Sequence, residues 1–326
     1  LTTILVTGGA GYIGSHACKA LKRAGYTPVT YDSLATGWRD AVKFGPLVQG
    51  DLLDRAALDA AFAEYKPAAV MHFAAFSQVG ESMSEPARYW RNNVMGTLNL
   101  VEAMTAAKCR NLVFSSTCAV YAEADGLVTE ASLIGPKSTY GATKYAAEGI
   151  VRSFTVAHGL NHLILRYFNV AGADPEAEIG EHHRPETHLI PVMLEAIDGK
   201  RPALTIFGED YETPDGTCIR DYVHVMDLVA AHVSGLDRLL KNGTLGTINL
   251  GSGTGFSVRD VIAEAKASTN HDVPVTFGER RAGDARFLVS GSTRAHELLG
   301  WRPERGAMRT MIADAWRWHQ TGSYSG

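Results

Sequence analysis

Short apolar runs alternate along the chain with longer stretches whose apolar residues recur at helical spacing. Residues 3–6 form an apolar, β-rich run, Ser15 to Ala24 carry a helical pattern that ends at Gly25, and "VTYD" (29–32) resumes as a strand. Further strands are predicted at "PLVQGD", ending at Asp51, at "AAVMHFAA" (68–75), at "NLVFSST" (111–117) and at "HLILRYFNV" (162–170). Helices are predicted near 54–65, 86–107 and 140–158. Strands alternating with helices imply an α/β fold, a doubly wound parallel sheet covered on both faces. In such a sheet a ligand lies beyond the carboxyl ends of the strands. Near the C-terminus, Met308, Ile312 and Trp316 recur at i, i+4 and i+8, which suits core packing or a subunit contact.

The polar clusters fall at those carboxyl ends: Gly8–Gly14, Asp32, Asp51, Phe73–Ser77, Ser115–Thr117 and Asn169. Gly9, Gly11 and Gly14 fit G-x-G-x-x-G, and Gly8, Gly11 and Gly14 fit G-x-x-G-x-x-G, between a strand and a helix. Glycines there permit a tight turn and close backbone approach to a pyrophosphate at a helix N-terminus. Asp32 closes the second strand where an acid binds ribose hydroxyls and would repel a 2′-phosphate, so NAD is expected over NADP. Tyr140 and Lys144 stand four positions apart at a helix start, on one face of that helix. A cation beside a phenol favours the phenolate, a usable general base.

Composition narrows the function classes. With 326 residues, 45% of them hydrophobic and 20% charged, the chain is long enough for one large or two medium domains. A formal charge of −4 leaves no basic surplus for nucleic acid. Cys18, Cys109, Cys118 and Cys218 lack CxxC pairing and suit a reducing compartment. No apolar run reaches the roughly 20 residues of a membrane span, and the start lacks signal-peptide features. A cytoplasmic protein is expected.

Together, "TGGAGYIGSH", "HFAAFSQVGES", "NNVMGTLNL", "FSSTCAVY", "STYGATK", "LRYFNVAGA", "IFGEDYETPDGTCIRDYVHVMDL" and "RRAGD" resemble the extended short-chain dehydrogenase/reductase family, and within it the 4-epimerases of UDP-hexoses. The resemblance implies bound NAD, a Rossmann domain over 1–170 and a smaller α/β domain over 171–326 for the UDP-sugar, with about 215–250 returning to the first. It implies interconversion of UDP-glucose and UDP-galactose through a 4-keto sugar, and a homodimer formed through helices 86–107 and 140–158. Carried over by position, Gly8, Gly11, Tyr12, Ile13 and Gly14 would lie at the pyrophosphate and Asp32 at the adenosine ribose. Asp51 and Leu52 would flank the adenine, with Phe73, Ala74, Asn92, Tyr167 and Phe168 along the cofactor. Thr117, Tyr140 and Lys144 would be catalytic. Asn169, His188, Leu189, Phe207, Arg220, Arg281 and Asp284 would surround the UDP-sugar, the arginines suiting its diphosphate. Two departures stand out: Ser77 where many of these enzymes have lysine near the nicotinamide, and Leu288 where the bacterial type enzyme has a tyrosine that limits the sugar pocket.

Other readings are weaker. A sugar-nucleotide dehydratase needs an Asp-Glu pair after the active-site threonine, and here Thr117 is followed by Cys118 and Ala119. A catalytically dead NAD-binding sensor would have little need of Thr117, Tyr140 and Lys144 together. His182, His183 and His188 lack an HExxH arrangement and read as a polar loop, so no metal is expected. The preferred sugar, among hexoses, N-acetylhexosamines and pentoses, stays open.

Overall fold

The computed structural model describes residues 2–281 and 284–325. The first strands are β1 (Thr3–Thr7), β2 (Thr27–Asp32), β3 (Leu47–Gln49), β4 (Ala69–His72), β5 (Asn111–Thr117), β6 (Asn161–Tyr167) and β7 (Asn169–Ala171). After them come β8 (Leu204–Phe207), β9 (Ile219–His224), β10 (Gly246–Leu250), β11 (Gly255–Ser257), β12 (Val275–Gly278) and β13 (Phe287–Leu288). The helices of the first half are α1 (Tyr12–Arg23), α2 (Arg55–Tyr65), α3 (Val79–Ser84), α4 (Pro86–Tyr89), α5 (Gly96–Ala106) and α6 (Thr139–His158). Those of the second half are α7 (Leu189–Ile197), α8 (Val225–Asn242), α9 (Val258–Thr269), α10 (Thr293–Leu299) and α11 (Met308–Thr321).

Seven strands form one parallel sheet in the order β10-β6-β5-β4-β1-β2-β3. Their centres are continuous apolar runs because both faces are covered: Ile4, Val6, Met71 and Val113 pack toward α1 and α8, while Leu5, Val70 and Phe114 pack toward α2, α5 and α6. From β1 the chain steps one way to β2 and β3 and the other way to β4, β5 and β6. The crevice between β1 and β4 is therefore the switch point at which such folds bind ligands. Both Phe73 and Ala74 donate their N–H to the Thr7 carbonyl, which turns the chain out of β4 there and cuts short the strand expected over 68–75.

The long run read as one strand over 162–170 is two. β6 ends at Tyr167, Phe168 packs against Cys118 and Val120, and β7 pairs with β9 in a second sheet. That sheet carries β11, β9 and β13, and a separate pair joins β8 to β12. Helices α7, α9 and α11 cover it with Met193, Leu194, Val261, Met311 and Ile312, and Met308 and Trp316 belong to the same core. Between β9 and β11 the chain runs back, so that α8 packs on α1 and β10 pairs with β6. The strand expected over 46–51 shrinks to β3, because the Gly50 N–H already turns to the Asp32 carbonyl and Asp51 lies exposed beyond it. Among the described residues no helix is long and apolar enough to cross a membrane.

Helix α6 is fastened to the sheet by Glu148, which is wholly buried. It accepts hydrogen bonds from Ser116 at the end of β5 (2.6 Å) and from Nε and Nη2 of Arg166 in β6 (2.8 and 2.6 Å). Burial alone would raise this carboxyl; the Arg166 guanidinium and Ser116 hydroxyl hold it below its usual range. Glu148→Gln leaves Arg166 charged and buried without its partner, an imbalance of about 3–5 kcal/mol. Urea denaturation should show a loss of that order, and a loss below about 1 kcal/mol would mean that the pair is not what fastens the helix.

Candidate active site

The first turn of the site is a backbone cradle. Gly8 adopts a positive φ of 74°, and a Cβ on Gly14 would lie 2.1 Å from the Gly8 carbonyl oxygen. Only glycine lets α1 start this close to the end of β1, leaving its first N–H groups facing outward. Asp32 spans the same turn: Oδ2 accepts the Ala10 N–H at 3.0 Å and Oδ1 the Leu34 N–H at 2.8 Å. Burial raises the Asp32 carboxyl, opposed by these two donors. A diphosphate beside the outward N–H groups and a ribose at Asp32 fit the residues present, so the cradle passes as a dinucleotide site. Tyr12 and Ile13 open α1, and the buried Tyr12 hydroxyl donates to the Gly172 carbonyl at 2.6 Å.

The remaining cofactor candidates line the same sheet edge. Asp51 is exposed and its Oδ1 accepts the Leu53 N–H; Leu52 is buried, its carbonyl held by Asn99. The Phe73 ring lies 5.0 Å from that of His232, and the Ala74 backbone is what a Cβ on Gly8 would strike, at 2.5 Å. Asn92 bonds sideways to Asn93, within a wide helical turn at Trp90–Met95 that joins α4 to α5. The Tyr167 hydroxyl meets that of Ser115, and Phe168 packs with Cys118 and Val120.

Thr117 ends β5, and its Oγ1 accepts the Ala119 N–H at 3.1 Å, capping a short helical turn at Cys118–Val120. Ser138 caps α6 by accepting the Gly141 N–H. A Cβ on Gly141 would stand 2.3 Å from the Ala119 carbonyl, so only glycine lets α6 begin against the turn after Thr117. This contact starts α6, and with it Tyr140, beside the turn that Thr117 caps. The Tyr140 N–H donates to Ser82 Oγ at 3.1 Å. Lys144 is buried one turn on, its ammonium 4.7 Å over the Phe114 ring. Burial dominates the electrostatics of both groups. Burial pushes Tyr140 up to about 12, with Thr117 opposing, and pushes Lys144 down to about 7, with Glu148 opposing. A buried site penalises both charged forms, and the cation is the weaker partner.

The substrate candidates collect on the second sheet. Arg220 of β9 stands beside Leu288 of β13 in register, and its Nη2 is 3.8 Å from Asp284. Asp284 also accepts from Arg281 Nε at 3.1 Å, and the Arg281 guanidinium lies 4.6 Å over the Phe207 ring. Phe207, Arg220, Arg281 and Asp284 are therefore one group. Asn169 opens β7 and stands in register with Tyr222 of β9. His188 precedes α7 and Leu189 begins it. Leu288 is half-buried against the Cys118, Val120 and Phe168 cluster.

Three positions escaped the reading of the sequence. Asn93 clamps Phe76 through both backbone groups and touches Thr143; His72 bridges Thr7 (2.7 Å) and Thr97 (3.1 Å) beneath the edge; Gly141 sets the start of α6. All three lie inside the quoted motifs, but only the fold reveals what they approach.

A glycine cradle, an acid at the next strand end and a buried tyrosine–lysine helix make this the edge of a dinucleotide-dependent enzyme. The chain belongs to the NAD dependent epimerase/dehydratase family, which matches residues 4–251. It is similar to the UDP-glucose 4-epimerase of Rhizobium leguminosarum bv. trifolii, with 46% identity over 97% of each chain. Among solved structures it resembles the UDP-glucose 4-epimerase from Brucella ovis in complex with NAD (TM-score 0.95, 44% identity, 99% of each chain). It also resembles that from Bifidobacterium longum in complex with NAD+ and UDP (TM-score 0.94, 33% identity, 98% of each chain).

Replacing Asp32 by alanine removes the acceptor of two N–H groups of the turn that forms the cradle. At about 1 kcal/mol or more for each bond lost, NAD retention should fall by about tenfold or more while the fold persists. The check is the amount of NAD released on denaturing the purified variant and parent; equal amounts would take Asp32 out of the cofactor site.

Proposed function

We propose that the chain interconverts UDP-galactose and UDP-glucose by inverting C4 of the hexose. The observation that carries this is the start of the Tyr140–Lys144 helix against the turn after Thr117, in a chain that matches 4-epimerases along nearly its whole length. NAD held by the glycine cradle and Asp32 would supply the hydride acceptor for C4 and positive charge at the site. Tyr140 takes the proton of the 4-hydroxyl as C4 loses its hydride, leaving a 4-keto sugar. Thr117 holds the 4-oxygen in line between its own hydroxyl and that of Tyr140. Lys144 offers its charge once a second positive charge accompanies the phenolate, because burial alone keeps Tyr140 protonated. The keto sugar turns over, C4 receives the hydride on its other face, and Tyr140 returns the proton. No net oxidation results, so no second redox substrate is consumed.

Arg220 and Arg281 are the diphosphate anchors in this reading, with Phe207 and Asp284 setting the Arg281 fork. The hexose meets fewer fixed charges, as a sugar that must turn requires. The protein works as a cytoplasmic homodimer. In support, Cys18, Cys109, Cys118 and Cys218 are all unpaired, and Trp90, Met95 and Val156 present apolar surface on the helical stretches assigned to the contact.

Purified protein should convert UDP-galactose to UDP-glucose with nothing else added, and Tyr140→Phe should lower turnover by about 10²–10⁴-fold while UDP still binds. Thr117→Ser should be mild and Thr117→Val severe; equal losses would assign Thr117 a role in shape alone. A need for a stoichiometric redox partner would make the protein a dehydrogenase instead.

Leucine at 288 is smaller than tyrosine and leaves room beside the sugar, so UDP-N-acetylgalactosamine should also be turned over, more slowly than UDP-galactose. Leu288→Tyr should suppress the N-acetyl reaction and largely spare the hexose. Loss of both together would show that Leu288 serves the Phe168 cluster rather than the pocket.

A further inference from the structure

Between β7 and α7 the chain reads Glu181-His-His183-Arg-Pro-Glu186-Thr-His188. The structure folds it so that one donor atom from each of Glu181, His183, Glu186 and His188 lies within 4.8 Å of all the others. Nδ1 of His183 is 3.4 Å from Glu181 Oε1 and 3.4 Å from Glu186 Oε2. Nδ1 of His188 is 2.8 Å from Glu181 Oε1 and 3.3 Å from Glu186 Oε1. Glu186 Oε1 also accepts the N–H groups of Thr187 (2.8 Å) and His188 (3.0 Å), which fixes its carboxylate.

These separations have a geometric meaning. Zinc bonds to histidine nitrogen and carboxylate oxygen are about 2.0–2.2 Å long, so the edges of a tetrahedral site measure about 3.3–3.5 Å. With one oxygen from each carboxylate, the His183–Glu181 and His188–Glu186 edges are 3.4 and 3.3 Å, the His188–Glu181 edge is tighter at 2.8 Å, and Glu186 faces His183 with its other oxygen. The His183 Nδ1 atom is shut off from solvent and makes no hydrogen bond, although two carboxylates face it. We propose that Glu181, His183, Glu186 and His188 form a structural zinc site that pins the segment leading into α7. Two neutral imidazoles and two carboxylates balance a divalent cation, and the nitrogen donors disfavour magnesium and calcium.

Two features of the surroundings fit a structural role. The Glu181 carbonyl accepts the Trp318 indole N–H from α11 at 3.0 Å, and the His182 carbonyl accepts that of Trp38 at 2.8 Å. The knot is thus already tied to α11 and to the loop after β2. His182 itself turns away, its ring edge-on to Trp38 at 4.8 Å. The other acidic cluster of this kind among the described residues, Asp174, Glu176 and Glu178, is different. There the Lys19 ammonium sits 2.6, 2.7 and 2.5 Å from the three carboxylates and fills the place of a cation.

The test is equilibrium dialysis of chelator-treated, NAD-loaded protein against zinc chloride, with metal counted by mass spectrometry. About one zinc per chain is expected, with the melting temperature rising as zinc is added. His183→Gln and Glu186→Gln should each weaken zinc binding by about tenfold or more, and His182→Gln should leave it unchanged. Should the first two variants fail to fold, cobalt(II) bound to the unaltered protein reports the same geometry, because tetrahedral nitrogen–oxygen coordination gives far stronger visible bands than octahedral. Less than about a tenth of a zinc per chain at micromolar free zinc, an octahedral cobalt spectrum, or zinc binding undiminished in His183→Gln would each overturn the proposal.

Discussion

One buried carboxylate on α6 holds the site together. Glu148 joins that helix to β5 through Ser116 and to β6 through Arg166, and it lies one turn beyond Lys144, itself one turn beyond Tyr140. The stripe Tyr140–Lys144–Glu148–Arg152 runs down one helix face at intervals of four, and each member meets the sheet edge differently. Glu148 anchors, Lys144 sits dry over Phe114, and Tyr140 opens the helix beside the turn after Thr117. The start of the helix is equally constrained, since Gly141 alone admits the Ala119 carbonyl so closely. Catalytic geometry here follows from where a helix must pack.

That packing has an electrostatic cost which the chemistry turns to use. Burial drives Tyr140 up to about 12 and Lys144 down to about 7. Burial opposes charge on both groups, so in the proposed reaction the phenolate would form once a bound cofactor adds positive charge to the site.

The parts of the molecule legible in the sequence are those with local signatures. The strand–glycine turn–helix at the start, Asp32 at the next strand end and the Tyr140–Lys144 spacing all lie within short windows and match what the structure places at one edge. Pairings across long separations leave no local signature. The return of about 215–250 to the first domain follows from the family resemblance alone, since no local pattern puts α8 on α1 or β10 beside β6. Phe168 breaks a run whose apolar pattern is unbroken, because β7 pairs with β9 about fifty residues on. The lowered Lys144 and raised Tyr140 depend on burial, which spacing does not report. Glu181, His183, Glu186 and His188 converge in an irregular loop, at intervals that match no helical metal motif.

The central claim is that hydrogen leaves C4 as hydride and returns to the same carbon of the same sugar while proton traffic passes through Tyr140. UDP-galactose bearing deuterium at C4, mixed with an equal amount of unlabelled substrate carrying carbon-13 in its hexose ring, tests it directly. Mass spectrometry of the UDP-glucose formed should find deuterium retained at C4 of molecules without carbon-13, with no crossover and none lost to water. Deuterium released into solvent, or carried onto the carbon-13 sugar, would contradict the account.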